Sequence, residues 1–340
     1  MKVWALVLFT TAWTAAVASP VPIRGIALSL YYEDVQRGMR FDTMVDEIAQ
    51  TGATHISVIV QWAQPDTSAS KISPHPRETP ADRIVKQVLL RAKQHGLKTM
   101  LFPILWIEKR GVGDWRGTLK PRDPMRWWSS YFNFILHYAN IARAAEVDLY
   151  SIGSELASME GQINRWRALA RQVRGVYGGE LIYSANWDHY EEVDFWDVVD
   201  YMGVTGYYRL TMSYTPKLDA LISAWQKIRV SLLDWRLRKQ RPLIFTELGY
   251  PSIDGAARSP WDYTTGRALD LNEQADCYRA FLNVWAHEKH LHGVFFWNWW
   301  GPSDGQNTWY TLKGKPAWPI LREWIGANRA SDSTKLSPKR

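Results

Sequence analysis

Apolar residues along this 340-residue chain fall into two alternating kinds of stretch. Short, almost uninterrupted apolar runs occur at IRGIALSLY from Ile23, THISVIVQW from Thr54, LKTMLFPILW from Leu97 and VDLYSIGSE from Val147. Four more follow at ELIYSANW from Glu180, VDYMGVTGYY from Val199, PLIFTELGY from Pro242 and HGVFFWNWW from His292. Such runs suit strands that are covered on both faces, as in parallel sheets. Between them the spacing turns helical. Ile84, Val88 and Ala92 repeat every fourth residue and stop at Gly96, a suitable helix-ending residue. Ile163, Trp166, Ala170 and Val173 share another helical face, and long helices fit 124–146, 217–239 and 272–289. No repeat or low-complexity linker breaks the stretch, so a single domain over residues 19–327 is expected. Eight strands alternating with helices predict an α/β fold, a single (β/α)8 barrel. An open doubly wound sheet is the alternative, but no glycine-rich phosphate loop follows the first run.

The barrel gives meaning to two carboxylates. Glu155 closes the fourth apolar run and Glu247 the seventh. Barrel active sites lie at the C-terminal ends of the strands, and strands four and seven face each other across the mouth. Two glutamates so placed suit glycoside hydrolysis. Carboxyls ~5–5.5 Å apart would retain the anomeric configuration, and ~6.5–9.5 Å would leave room for the water of an inverting enzyme. Tryptophan points the same way, with 20 residues beside 16 tyrosines. Most of these rings belong in the core, but flat aromatic faces also match the C–H face of a pyranose.

The chain ends add a compartment. MKVWALVLFTTAWTAAVAS has a lysine, an apolar stretch and then Ala16-Val17-Ala18, the layout of a secretory signal peptide over residues 1–18. The stretch is short for a membrane span of ~20 residues, so export, secreted or periplasmic, is expected from Ser19 onward. The single Cys277 allows no internal disulfide, and its helical setting suits a buried thiol. The net charge of +7 is scattered, partly in a basic tail over 328–340 and partly in DWRLRKQR. That distribution gives no nucleic-acid surface. The expected partner is a polysaccharide or oligosaccharide, met by a monomer without stable membrane insertion.

Several segments together resemble glycoside hydrolase family 113, the β-mannanases of clan A: GDWRGTLKPRDPMRWW, IGSELASME, LIYSANWDHYEEVDFWDVVDYMGVTGYY, FTELGYPS and GVFFWNWW. They run in order through most of residues 110–300. The resemblance implies Glu155 as general acid/base and Glu247 as nucleophile of a retaining double displacement. It implies Tyr207 as a donor to the nucleophile and Trp297 as the floor beneath the attacked sugar. Asn186 and Trp187 would line the wall after strand five. Two positions depart from the pattern. Ser154 stands where many clan members have asparagine, and Ile104 stands where a polar, often basic, residue is expected. Both departures bear on which sugar is preferred.

Other motifs weigh less. AHEKHLH has Leu291 where a zinc-binding helix needs its second histidine. Asp188, Glu191, Glu192, Asp194 and Asp197 lack the spacing of a calcium loop, although Asp188 is near enough in sequence to touch substrate. No metal or cofactor is therefore expected. Glu160 belongs with the loop or helix after Glu155. Trp115 and Arg116, after strand three, either meet a sugar or anchor their loop, and Trp62, ending strand two, stands the same way. Trp299 shares a face with Trp297 if strand eight continues, and is then a second platform. Retention of both glutamates and Tyr207 favours an enzyme over the alternative, a glycan-binding barrel without turnover. A β-glycosidase acting on a different β-glycan is the other alternative.

Overall fold

Eight parallel strands pair in chain order and close on themselves, β1 against β8. The computed structural model describes residues 23–31, 40–264, 266–301 and 305–326. The expected signal peptide at 1–18 and the basic tail at 328–340 lie outside the described residues. The strands are β1 (Ile23–Ser29), β2 (His55–Gln64), β3 (Lys98–Ile107), β4 (Leu149–Ser154), β5 (Glu180–Ala185), β6 (Tyr201–Thr205), β7 (Leu243–Leu248) and β8 (Leu291–Phe296). Each falls within or beside one of the eight apolar runs. The helices are α1 (Phe41–Gln50), α2 (Asp82–Gln94), α3 (Pro124–Ala144), α4 (Ala157–Glu160), α5 (Ile163–Val176), α6 (Leu218–Lys239), α7 (Leu271–Trp285) and α8 (Ala317–Gly326). The chain is a (β/α)8 barrel.

Strand alternation sorts the apolar residues into two cores. Ala27, Ile59, Phe102, Ile104, Ile182 and Ile244 fill the barrel itself. Val58, Val60, Tyr150 and Phe245 point outward and meet the helices. Trp127, Trp128, Trp166, Trp225, Trp235 and Trp285 are fully buried, so much of the tryptophan surplus is packing between strands and helices. Cys277 is also buried, on α7. Helix α3 starts where predicted because Asp123 accepts the Arg126 N–H and Pro124 takes a first-turn position that needs no donor.

One connection departs from the regular alternation. Between β5 and β6 the described chain makes two short 3-10 turns, Tyr190–Glu192 and Trp196–Val198, and no α-helix. Phe195 and Trp196 fill the layer there, Phe195 stacked on Trp166 and both rings packed against Tyr183. No helix among the described residues is long and apolar enough to cross a membrane.

Candidate active site

The pairing register shifts at both glutamates. On β4 it slips between Ser151 and Ser154, just before Glu155. On β7 it slips on both sides, against β6 between Val204 and Thr205 and against β8 between Phe245 and Leu248, which brackets Glu247. Irregularities of this kind re-aim side chains and concentrate at barrel rims and active sites. Glu155 carries a further mark: its φ is +54°, a left-handed conformation that costs a non-glycine residue ~1–3 kcal/mol. Its N–H donates to the Ser184 carbonyl at 2.8 Å, which ties the strained turn to β5. Gly206 permits the matching close approach on the other side. A Cβ there would lie 2.5 Å from the Leu248 side chain, and its N–H donates to the Glu247 carbonyl at 2.6 Å.

Both carboxyls are buried, with Glu155 9% and Glu247 4% exposed. Tyr207 Oη donates to Glu247 Oε2 at 2.9 Å, while Glu247 Oε1 has no protein partner among the described residues. Burial beside Glu247 holds the Tyr207 phenol well above its ordinary pKa, so it remains a donor. Arg116 Nη1 donates to Glu155 Oε2 at 3.2 Å. Burial pushes the Glu247 carboxyl up to about 8 and the negative Glu155 adds to the rise. The Arg116 charge and the Tyr207 hydrogen bond oppose it. Burial and the negative Glu155 together keep Glu247 protonated into neutral pH. A buried carboxyl that keeps its proton and a second carboxyl in one pocket are the groups glycosidic cleavage requires.

A buried network supports Glu155 from behind. The N–H of Leu156 donates to Tyr183 Oη at 3.2 Å, and Tyr183 Oη donates to Glu160 Oε1 at 2.6 Å. Burial pushes Glu160 up to about 7, against the opposing effects of the Tyr183 bond and the His189 charge. Glu160, on α4, is thus a buried partner beneath the site. The sequence placed it in this segment but offered no sign of its contact with Tyr183, which lies on a different strand.

The aromatic candidates separate by direction. Trp297 follows β8, packs against the barrel-interior core, and donates its N–H to the Leu248 carbonyl at 2.8 Å. Trp187 stacks on Trp261 with centroids 5.4 Å apart. Asn186 is buried, accepts from Thr205 and donates to Asp188, which also pairs with His189. Of the loop pair after β3, Arg116 reaches Glu155 while Trp115 lays its ring over Gly117, where a Cβ would meet it at 2.2 Å. Trp115 is therefore the anchor of that loop.

Two tryptophans lie elsewhere than expected. Trp62 stacks on Phe134 of α3 at 5.3 Å and also meets His137, because its β2 position faces the helix layer. Trp299 is buried against Trp318 of α8 and donates Nε1 to Glu47 of α1 at 2.8 Å. β8 ends at Phe296, so alternation with Trp297 no longer governs where Trp299 points. Both rings are thus engaged by partners other than Glu155 and Glu247. The two departures from the resembled pattern are buried as well. Ile104 belongs to the barrel-interior core, and Ser154 is register-paired with Ser184 and has an Oγ without a protein partner among the described residues.

Among the described residues, Asp254, Asp270 and Glu273 each bring a carboxylate oxygen within 4.8 Å of the others. Asp270 caps α7, and Glu273 accepts the N–H groups of Gly255 and Ala257 at 2.7 and 2.8 Å. Their work is to pin the β7–α7 loop.

Comparison with solved structures agrees with this architecture. The GH113 β-mannanase AaManA from Alicyclobacillus acidocaldarius superposes with a TM-score of 0.80 at 24% identity, over 90% of this chain and 97% of that one. A GH113 β-1,4-mannanase superposes with a TM-score of 0.79 at 22% identity, over 90% and 99% of the two chains. A family 5 mannosidase from Rhizomucor miehei superposes more loosely, at 0.56 and 12% identity over 94% and 95%. Comparison with curated protein sequences finds no significant match. The model of Glycoside Hydrolase Family 113 matches residues 36–315. The chain belongs to glycoside hydrolase family 113 and is a glycoside hydrolase.

Proposed function

We propose that the protein is a retaining, endo-acting β-mannanase that works by double displacement. The observation that carries this reading is the pairing of two buried carboxyls with different partners, Glu247 with the Tyr207 hydroxyl and Glu155 with Arg116. Glu247 attacks the anomeric carbon while Glu155 gives its proton to the departing glycosidic oxygen, leaving a glycosyl ester on Glu247. Glu155, now a carboxylate, takes a proton from water, and that water displaces Glu247. Tyr207 holds the attacking carboxylate and stabilises its charge. Burial favours a protonated Glu247, whereas the nucleophile must be ionised to attack. The Arg116 charge and the Tyr207 hydrogen bond both favour that ionised form.

β-1,4-Mannan is the substrate because the GH113 structures of the same fold are named for it. Ser154 and Ile104 favour a second reading, a related β-glycan, since they replace polar contacts that would otherwise grip the attacked sugar. Purified protein assayed on a polysaccharide panel, with proton NMR of the first-formed anomer, tests both parts. Release of β-anomeric manno-oligosaccharides is expected; α-anomer appearing first would refute retention, and cleavage of a different β-glycan alone would refute mannan. We also propose that the chain is exported after cleavage near Ser19, as its first residues suggest. N-terminal sequencing of native protein should start there, and recovery of Met1 would contradict it.

A further inference from the structure

Among the described residues, four large aromatic side chains are exposed: Tyr214, Trp261, Tyr263 and Trp309. All four lie in the loops that follow β6, β7 and β8, at the mouth of the barrel. Scattered exposed rings need no explanation, but a cluster on one face does. Two of the four have partners that account for them. Arg258 lies over Tyr214 at 4.6 Å, and Arg209 lies over Trp261, which also stacks on Trp187. Tyr263 and Trp309 have no cation over them among the described residues. They lie against each other, 6.2 Å apart and tilted by 33°.

These two rings are continuous with the site. Tyr207, the donor to Glu247, meets Tyr310 at 6.0 Å, Tyr310 meets Tyr263 at 6.1 Å, and Trp309 continues to Trp300 at 6.0 Å. The loops that carry them are locked together. Tyr310 Oη donates to the Pro260 carbonyl across the two loops. The buried Lys315 ammonium donates to the Trp309 carbonyl at 2.7 Å, to Ser252 Oγ at 2.8 Å and to Asn307 Oδ1 at 3.0 Å. Glu273 holds the start of the β7–α7 loop from below. Half-exposed rings on a fixed frame lose little freedom when a flat ligand covers them. The ligand must offer an apolar face, carry no required charge, and extend outward from the cleft.

We propose that Tyr263 and Trp309, with Trp300 beside them, form an outer subsite on which a sugar of the β-linked chain stacks, beyond the sugar attacked by Glu247. The subsite rests on the glycoside-hydrolase reading of the cleft and adds a length preference to it. A chain long enough to cover the rings gains affinity that a shorter one cannot reach.

The test compares Trp309→Ala, Tyr263→Ala and Trp309→Phe with the wild type, on the shortest oligosaccharide it cleaves and on the longest soluble one. On the long chain, each alanine variant should lose roughly three- to tenfold in kcat/KM, through KM, as expected for one ring contact. On the short chain they should match the wild type, and Trp309→Phe should recover most of the loss. An equal fall on both substrates would mean a structural role, and no change on either would mean no sugar contact; both overturn the subsite. A dimer that Trp309→Ala dissolves would assign the rings to self-association and overturn it as well. If the wild type cleaves some β-glycan other than mannan, the mannan reading fails while the length comparison on that glycan still decides the subsite. If it cleaves none, both fail.

Discussion

Arg116 Nη1 lies 3.2 Å from Glu155 Oε2, and the same positive charge lowers the proton affinity of Glu247. One guanidinium therefore acts on both carboxyls. Replacing Arg116 with alanine should let Glu247 hold its proton to higher pH, so the kcat/KM profile moves upward. Lysine should reverse part of the shift. A profile that stays in place for Arg116→Ala would mean that the cation does not tune the pair.

The Tyr207 hydroxyl is a second control on the same charge. Its bond to Glu247 stabilises the carboxylate, so Tyr207→Phe should move the acid limb to higher pH. A hydrogen bond to a charged group is worth ~1.5–3 kcal/mol, which sets a fall in kcat/KM of roughly ten- to a hundredfold. Unchanged kinetics in a folded Tyr207→Phe protein would remove tyrosine from the mechanism.

Burial of Glu247 also has a cost in stability, with a definite sign. In the folded chain this carboxyl keeps its proton up to about 8, against an ordinary value of 4.5. As pH rises between those values the unfolded chain releases the proton first, and the folded state loses stability. Glu247→Gln removes that loss. Its gain in Tm over the wild type should be larger at pH 8 than at pH 4, and an equal gain at both would contradict the raised carboxyl.

Tyr183 offers a test of positioning. Its hydroxyl links Leu156, next to the strained Glu155, to the buried Glu160. Tyr183→Phe should destabilise the fold by ~1–3 kcal/mol and lower kcat roughly tenfold with KM retained. Loss of stability without loss of kcat would show that the network only holds the fold.

Both glutamates were legible in the sequence because a carboxylate ending an apolar run is conspicuous, and all eight strands were marked by such runs. What failed was direction. Trp62 and Trp299 sit beside the mouth in sequence, yet strand alternation turns the first outward and the end of β8 releases the second toward α1 and α8. Arg116 and Trp115 are adjacent, and only the path of their loop decides which one reaches Glu155. The missing helix between β5 and β6 was hidden because Phe195 and Trp196 supply the same apolar cover from short turns. Tyr263 and Trp309 meet across two loops, a contact that no spacing encodes.

The most direct measurement is the configuration of the products formed when azide is supplied to the two glutamate variants. Glu155→Ala keeps the nucleophile and loses proton transfer, a contribution of ~10²–10⁴-fold. With an activated aryl β-glycoside it should still form the glycosyl-enzyme, and azide, which needs no base, should release a β-glycosyl azide. Glu247→Ala cannot form that intermediate, so azide entering the vacated face should give the α product. Reversed configurations would exchange the two roles, and full activity in both variants would place the chemistry outside this pair.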